Sequence, residues 1–252
     1  MVSEDSQDLG QVKRLGIIGG MGPMATVLFL EMIISLTDAK SDQEHIPIVI
    51  EHCPEVPDRT GYIFDNNKPD PVPYIIDAAE RLAVAGVSEI VIPCFTAHYF
   101  HDRIQDGVGI PIINGIDETV LYLKDRGIRA AGVMATDGTV KSDLYGHTLS
   151  EKGIDCIYPD SDMQRRLMSV FYDYVKACVP VEADMFYDIC ESLKAAGAET
   201  MILGCTELSV AWREIKAPGG HTPYDITDAM EILAKKCVRA FGRLKDESAS
   251  GG

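Results

Sequence analysis

The 252-residue chain is short of basic side chains: 23 Lys and Arg stand against 39 Asp and Glu, a formal charge of −16. A protein that grips nucleic acid displaces counterions with a surplus of Lys and Arg, so this balance excludes that class. The same charge repels anionic membrane surfaces. No stretch approaches the roughly 20 apolar residues that a membrane span needs. Residues 1–11 lack the cationic start and apolar run of a secretory signal, so a cytoplasmic location is expected. No Cys-x-x-Cys pair occurs among the seven cysteines, whose odd number in a chain of this size points to reduced thiols. What the chain does have is apolar mass. Hydrophobic residues make up 46%, enough for a sizeable core and too many for a disordered chain.

Apolar runs alternate with amphipathic segments. Leu15-Gly-Ile-Ile reads as a buried strand ending in Gly19-Gly20-Met21-Gly22-Pro23, and Pro23 suits the first turn of a following helix. Residues 46–51 read as a second strand, 89–93 as a third and 111–114 as a fourth. Between the second and third, residues 73–85 read as a helix with Ile75, Ile76, Ala79, Leu82 and Ala83 on one face, stopped by Gly86. Continuous apolar strands separated by helices predict parallel sheets covered on both faces.

The plan then recurs. Leu82-x-x-Ala85-Gly86 precedes a strand and Cys94, and Leu193-x-x-Ala196-Gly197 precedes a strand and Cys205, each residue 111 positions after its counterpart. A weaker echo links Gly16-Ile-Ile with Gly132-Val-Met. A repeat of this size predicts two tandem, pseudo-symmetric α/β domains with parallel, Rossmann-like sheets and an active site between them. Their expected limits are 12–114 plus 224–245 for the first and 115–223 for the second, with crossings near Asn114-Gly115 and Gly219-Gly220 and a last helix over 227–244.

Ligands in α/β sheets collect beyond the carboxyl ends of the strands. Cys94 and Cys205 sit there in equivalent positions, so lobes facing across a cleft would put two thiols on opposite sides of one ligand. That arrangement removes a proton from one face of a carbon and returns it to the other, with one cysteine as thiolate and the other as thiol. A following helix start favours the thiolate. Cys53, Cys156, Cys178, Cys190 and Cys237 read instead as small buried hydrophobes. Cys94-x₃-His98-x₂-His101 also offers a zinc-like spacing.

At these residues the chain resembles the cofactor-independent aspartate/glutamate racemase family, nearest its aspartate racemase branch. The resemblance runs over about residues 15–238. It rests on Gly19-Gly-Met-Gly-Pro-Met-Ala-Thr26, Pro57-Asp-Arg59-Thr60, Pro93-Cys94-x-Thr96-Ala-His98, Ala135-Thr136-Asp-Gly-Thr139, Tyr174-Val-Lys176 and Gly204-Cys-Thr-Glu207. It implies two catalytic cysteines, Cys94 and Cys205, an acidic amino-acid substrate, no pyridoxal phosphate, metal or nucleotide, and commonly a homodimer. By the same resemblance Arg59 and Lys176 bind carboxylates. Thr96, Thr206 and backbone N–H groups near Met21 hold the amino-acid head, with Thr60 a further substrate-binding candidate. Thr136 and Thr139, in the second-lobe loop equivalent to Gly20-Met-Gly22, are candidate carboxylate ligands or ordinary turn and cap residues. His98 and Glu207, beside the cysteines, are candidates to move protons or orient the thiols, or simply to cap helix starts. One position departs from the family: Phe95 follows the first cysteine where Asn is usual, and its ring offers the substrate no hydrogen bond.

Other functions fit parts of the pattern. Gly20-x-Gly22-x-x-Ala25 after a strand, with Glu51 at the end of the next, matches a variant dinucleotide fingerprint. Malonate decarboxylases and maleate isomerases share the scaffold, and Phe95 suits their need for an apolar wall. A two-lobed binding protein for an acidic metabolite would use the cleft and cations but leave both thiols idle.

Overall fold

A computed structural model describes residues 13–177, 179–216 and 222–245. The first half runs β1 (Leu15–Gly19), α1 (Pro23–Leu36), β2 (Ile48–His52), α2 (Arg59–Phe64), α3 (Val72–Val84), β3 (Glu89–Val91), a 3-10 turn (Phe95–Phe100), α4 (His101–Asp106), β4 (Ile112–Ile113) and α5 (Gly115–Asp125). The second runs β5 (Ala130–Met134), α6 (Asp137–Lys141), α7 (Leu144–Glu151), β6 (Asp155–Ile157), α8 (Ser161–Ser169), a π-helical stretch (Val170–Val175), α9 (Ala183–Ala195), β7 (Thr200–Leu203), α10 (Thr206–Ile215), β8 (Ile226–Asp228) and α11 (Ala229–Phe241). Each half forms a four-stranded parallel sheet, in the orders β2-β1-β3-β4 and β6-β5-β7-β8. The two sheets are one plan used twice, as the repeat predicts. Every residue of β1 and β7 is buried, which is why these strands read as unbroken apolar runs.

The duplicated Leu-x-x-Ala-Gly signature is a helix terminus. After α3, Val87 N–H donates to the Leu82 carbonyl and Gly86 N–H to that of Ala83, with Gly86 at φ +74°. After α9, Ala198 and Gly197 repeat both bonds to Leu193 and Lys194, with Gly197 at φ +105°. The left-handed turn needs glycine, and it aims each chain into the strand that carries a cysteine. On α3 the buried face is Val72, Ile75, Ala78, Ala79 and Leu82. Ile76 is only half-buried and Ala83 is exposed, so Ala78 takes the place given above to those two.

The sheet edges differ from expectation in two places. Strand β2 starts at Ile48, since Pro47 has no N–H for the ladder; its carbonyl accepts from Leu15 N–H instead. Ile226–Asp228, expected in the first domain with Thr227 and Asp228 in the final helix, pairs with β7 and forms the edge of the second sheet. Only α11 returns, packing on α1, while α5 packs on α7 of the second half and on α11. One core therefore runs through both halves, joining Leu15, Ile17 and Phe29 to Leu123, Val133 and Leu233. The crossing expected near Gly219 and Gly220 lies outside the described residues, as does Cys178. Among the described residues no helix is long and apolar enough to cross a membrane.

Candidate functional site

Cys94 follows β3 and caps the 3-10 turn, and Cys205 follows β7 and caps α10. Both are buried, at 6% and 5% exposure, yet both line one cavity between the halves. The repeat thus brings two thiols to one space from opposite lobes. Met21, Arg59, Thr60, Phe95, Thr96, Thr136, Lys176, Thr206 and Glu207 line the same cavity. Of the substrate-binding candidates named from the sequence, Thr139 alone stands behind the wall. Its hydroxyl lies 3.3 Å from that of Thr96 and 3.1 Å from that of Thr136, and the last two are 3.1 Å apart. This triangle of hydroxyls ties the first half to the second beside Cys94. Thr60 reinforces the closure: its side chain abuts Gly138, where a Cβ would come within 2.9 Å of the Thr60 hydroxyl.

The two cysteines have unlike partners. The Cys205 thiol donates to Glu207 Oε2 at 2.8 Å, and Thr206 Oγ1 donates to the same oxygen at 3.2 Å. Burial pushes the Cys205 pKa well above the ordinary thiol range, and the Glu207 charge pushes it the same way. Cys94 faces a cation instead, the guanidinium of Arg59. Burial pulls the Arg59 pKa down, but Cys94, as charge and as hydrogen-bond partner, together with Asp58 and Glu207 raises it overall.

Three of the five N–H donors of the Arg59 fork are taken by backbone carbonyls. Its Nη1 donates to the carbonyls of Val56 and Pro57 at 3.1 and 3.0 Å, and its Nη2 to that of Met21 at 3.3 Å. Only Nε is buried without a partner. Lys176 is exposed and rests its ammonium 4.3 Å over the Tyr172 ring. It follows the π-helical stretch, where its N–H reaches back five residues to the Phe171 carbonyl. That wider turn carries Phe171 and Tyr172 into the cavity wall beside it.

Phe95 touches the cavity, but its ring leaves it. The side chain is 1% exposed and stacks on His98 with ring centroids 5.5 Å apart. It presses on Gly115, where a Cβ would lie 2.9 Å from Phe95 Cε1. His98 does not carry protons here. Its Nε2 accepts from Gly115 N–H at 2.9 Å, so Nδ1 bears the hydrogen and donates to the Cys94 carbonyl at 3.1 Å. Burial lowers its pKa to about 4, leaving a neutral strap between the first cysteine and α5. His101 Nε2 is likewise taken, by the Ile112 carbonyl at 3.2 Å, so the zinc-like spacing leaves neither imidazole free. Among the described residues no group of three or more His, Cys, Asp or Glu side chains could hold a metal. Glu51, the acid of the dinucleotide reading, is paired with Arg81 at 3.0 Å.

Three lining residues were not singled out in advance: Asp58, Phe171 and Tyr172. Asp58 lies inside the Pro57-Asp-Arg59-Thr60 motif and caps α2 through Thr60 and Gly61 N–H. No sequence signal marks Phe171, because α-helical spacing places it off the Lys176 face and only the π turn aligns the two.

Comparison with known proteins agrees with this fold. The chain is 31% identical to the Picrophilus torridus aspartate racemase, with a TM-score of 0.78 over 94% of this chain and 98% of that one. An aspartate racemase homologue from Pyrococcus horikoshii OT3 matches at 25% identity and a TM-score of 0.73, over 91% of this chain and 99% of that one. The broad specificity amino-acid racemase of Bacillus subtilis is 26% identical over 90% of this chain and 97% of its own length. Residues 18–237 match the Asp/Glu/Hydantoin racemase family, and the chain belongs to that family of isomerases.

Proposed function

We propose that the chain inverts the α-carbon of an acidic amino acid, aspartate first and glutamate next, by proton transfer between Cys94 and Cys205 without a cofactor. The observation that carries this reading is the pairing itself: two thiols from equivalent repeat positions line one cavity, one beside a cation and the other donating to a carboxylate.

That asymmetry supports an order of roles. Cys94, beside Arg59, acts as base and Cys205, held by Glu207, as acid. The Cys94 sulfur takes the α-proton of one enantiomer, and the bonding pair moves into the carboxylate as it gains enolate character. Cys205 then gives its proton to the opposite face. The products are the mirror-image amino acid, a Cys94 thiol and a Cys205 thiolate, which is the state that accepts the other enantiomer. The α-proton is far less acidic than a thiol, so donors aimed at the growing charge must stabilise the intermediate. In this reading the Lys176 ammonium, the unpartnered Arg59 Nε and the hydroxyls of Thr96 and Thr136, which line the cavity, do so.

The test is incubation with L-aspartate and with L-glutamate in deuterated water. α-Deuteration together with the D-isomer is expected, and Cys94→Ala and Cys205→Ala should each abolish inversion. Absence of exchange with both amino acids overturns the reading. A homodimer in a cytoplasmic setting belongs to the same proposal and is read by light scattering and cell fractionation.

A further inference from the structure

We propose that a chamber between α1, α10 and α11 is a binding site for an organic monoammonium ion carrying an apolar chain. The chamber shares no lining residue with the cysteine cavity, and the site does not depend on the racemase reading. Its volume is about 330 Å³, and Leu28, Met32, Leu36 and Trp212 supply its apolar lining. Ser209 and Asp228 line it as well. Ser209 sits one turn along α10, the helix that Cys205 caps, so an occupant touches that helix.

The state of Asp228 points to a cation. The residue ends β8 and is 8% exposed. Its Oδ1 accepts from Ser209 Oγ at 2.7 Å and from the N–H groups of Met230 and Glu231 at 2.9 and 3.4 Å. Among the described residues its Oδ2 accepts from no donor, and the carboxylate has no cationic partner. A carboxylate taken out of water is costly unless a cation meets it. The other acids of the chamber have theirs: the Arg213 fork grips Glu31, and Lys235 pairs with Glu231 at 2.9 Å. An ammonium entering the chamber supplies the missing partner of Asp228. Its methylene chain gains about 25 cal/mol per Å² buried against the apolar side chains. Lys216 also lines the chamber and is exposed. It would repel the outer end of a diamine, so the ligand carries a single positive charge.

Trp212 is the only tryptophan of the chain, so its fluorescence reports the chamber directly. The whole chain is titrated with n-pentylammonium chloride and with n-pentanol, its neutral counterpart. A buffer at about pH 8 with about 0.3 M KCl screens the exposed acids. Asp228, which burial raises only to about 6, is ionised there. A saturable change in emission is expected with pentylammonium. Pentanol should bind about tenfold or more weakly, the scale of one hydrogen bond to a charged group. Asp228→Asn keeps the helix cap, since Asn caps as well as Asp, and should weaken pentylammonium to the level of pentanol. Met32→Phe fills the apolar end, leaves Asp228 in place and should weaken both ligands. No saturable change, pentanol bound as tightly as pentylammonium, or undiminished binding by either variant overturns the site. Binding is read without turnover, so the racemase reading stands or falls separately, on exchange.

Discussion

The thiol of Cys205 donates to the carboxylate of Glu207 across 2.8 Å, while its counterpart Cys94 meets the guanidinium of Arg59. The repeat pairs Glu207 with Thr96, 111 residues earlier, so the second cysteine has an acid where the first has a hydroxyl. Duplicated halves have thus kept one backbone plan and diverged in charge.

Replacing Glu207 with Gln removes the like charge beside Cys205 and lowers the thiol's pKa. In a Cys94→Ala background, the pH profile of iodoacetamide alkylation at Cys205, followed by mass spectrometry, should move to lower pH. An unmoved profile would remove Glu207 from the protonation of that thiol.

Arg59→Lys strands the carbonyls of Met21, Val56 and Pro57, because one ammonium cannot reproduce the planar fork. The expected loss is about 100-fold or more in kcat, the usual scale for removing a fixed charge-stabilising donor. A rise in KM alone would return Arg59 to simple carboxylate binding.

Phe95→Asn restores the residue usual in the family but removes a ring packed on His98 and Gly115. A buried Phe lost to a small side chain costs about 3–5 kcal/mol. Urea unfolding should report a loss of about that size. A variant as stable as the parent would show that the ring is not held in the core.

Two helix starts carry opposite pH linkages. His98, bound to Gly115 at the start of α5, titrates at about 4 folded and near 6.5 unfolded, so stability is lost as pH falls through that interval. Asp228 caps α11, accepts from Ser209 Oγ at 2.7 Å and is raised by burial from 3.8 to about 6, so stability is lost as pH rises through its interval. Relative to the parent, His98→Asn should lose stability with rising pH between these values, and Asp228→Asn should gain it. Each swing is at most about 3 kcal/mol at roughly 1.4 kcal/mol per pKa unit. Urea midpoints across the interval provide the check, and like slopes in the two variants would contradict the assignment.

Much of this was legible in the sequence because apolar runs and glycine stops are local signals. Leu15, Gly86 and Cys94 could be placed on a strand, a helix end and a strand exit from their neighbours alone, and the repeat carried the same reading to Gly197 and Cys205. What depended on distant partners was not legible. Thr227 reads as the start of a helix until Ile202 offers it a ladder. Phe171 joins Lys176 only through a π turn. Arg59 looks like a free fork until three carbonyls from two separate loops occupy it, and His98 looks like a proton carrier until Gly115 and the Cys94 carbonyl fix both nitrogens.

The central claim is that each cysteine serves one face of one carbon. It is tested most directly by offering each aspartate enantiomer, in deuterated water, to the Cys94→Ala and Cys205→Ala variants. Each variant should exchange the α-proton of a single enantiomer, opposite in the two, with configuration retained and no mirror image formed. Inversion by either single-cysteine protein, or exchange of both enantiomers by one of them, would contradict the account.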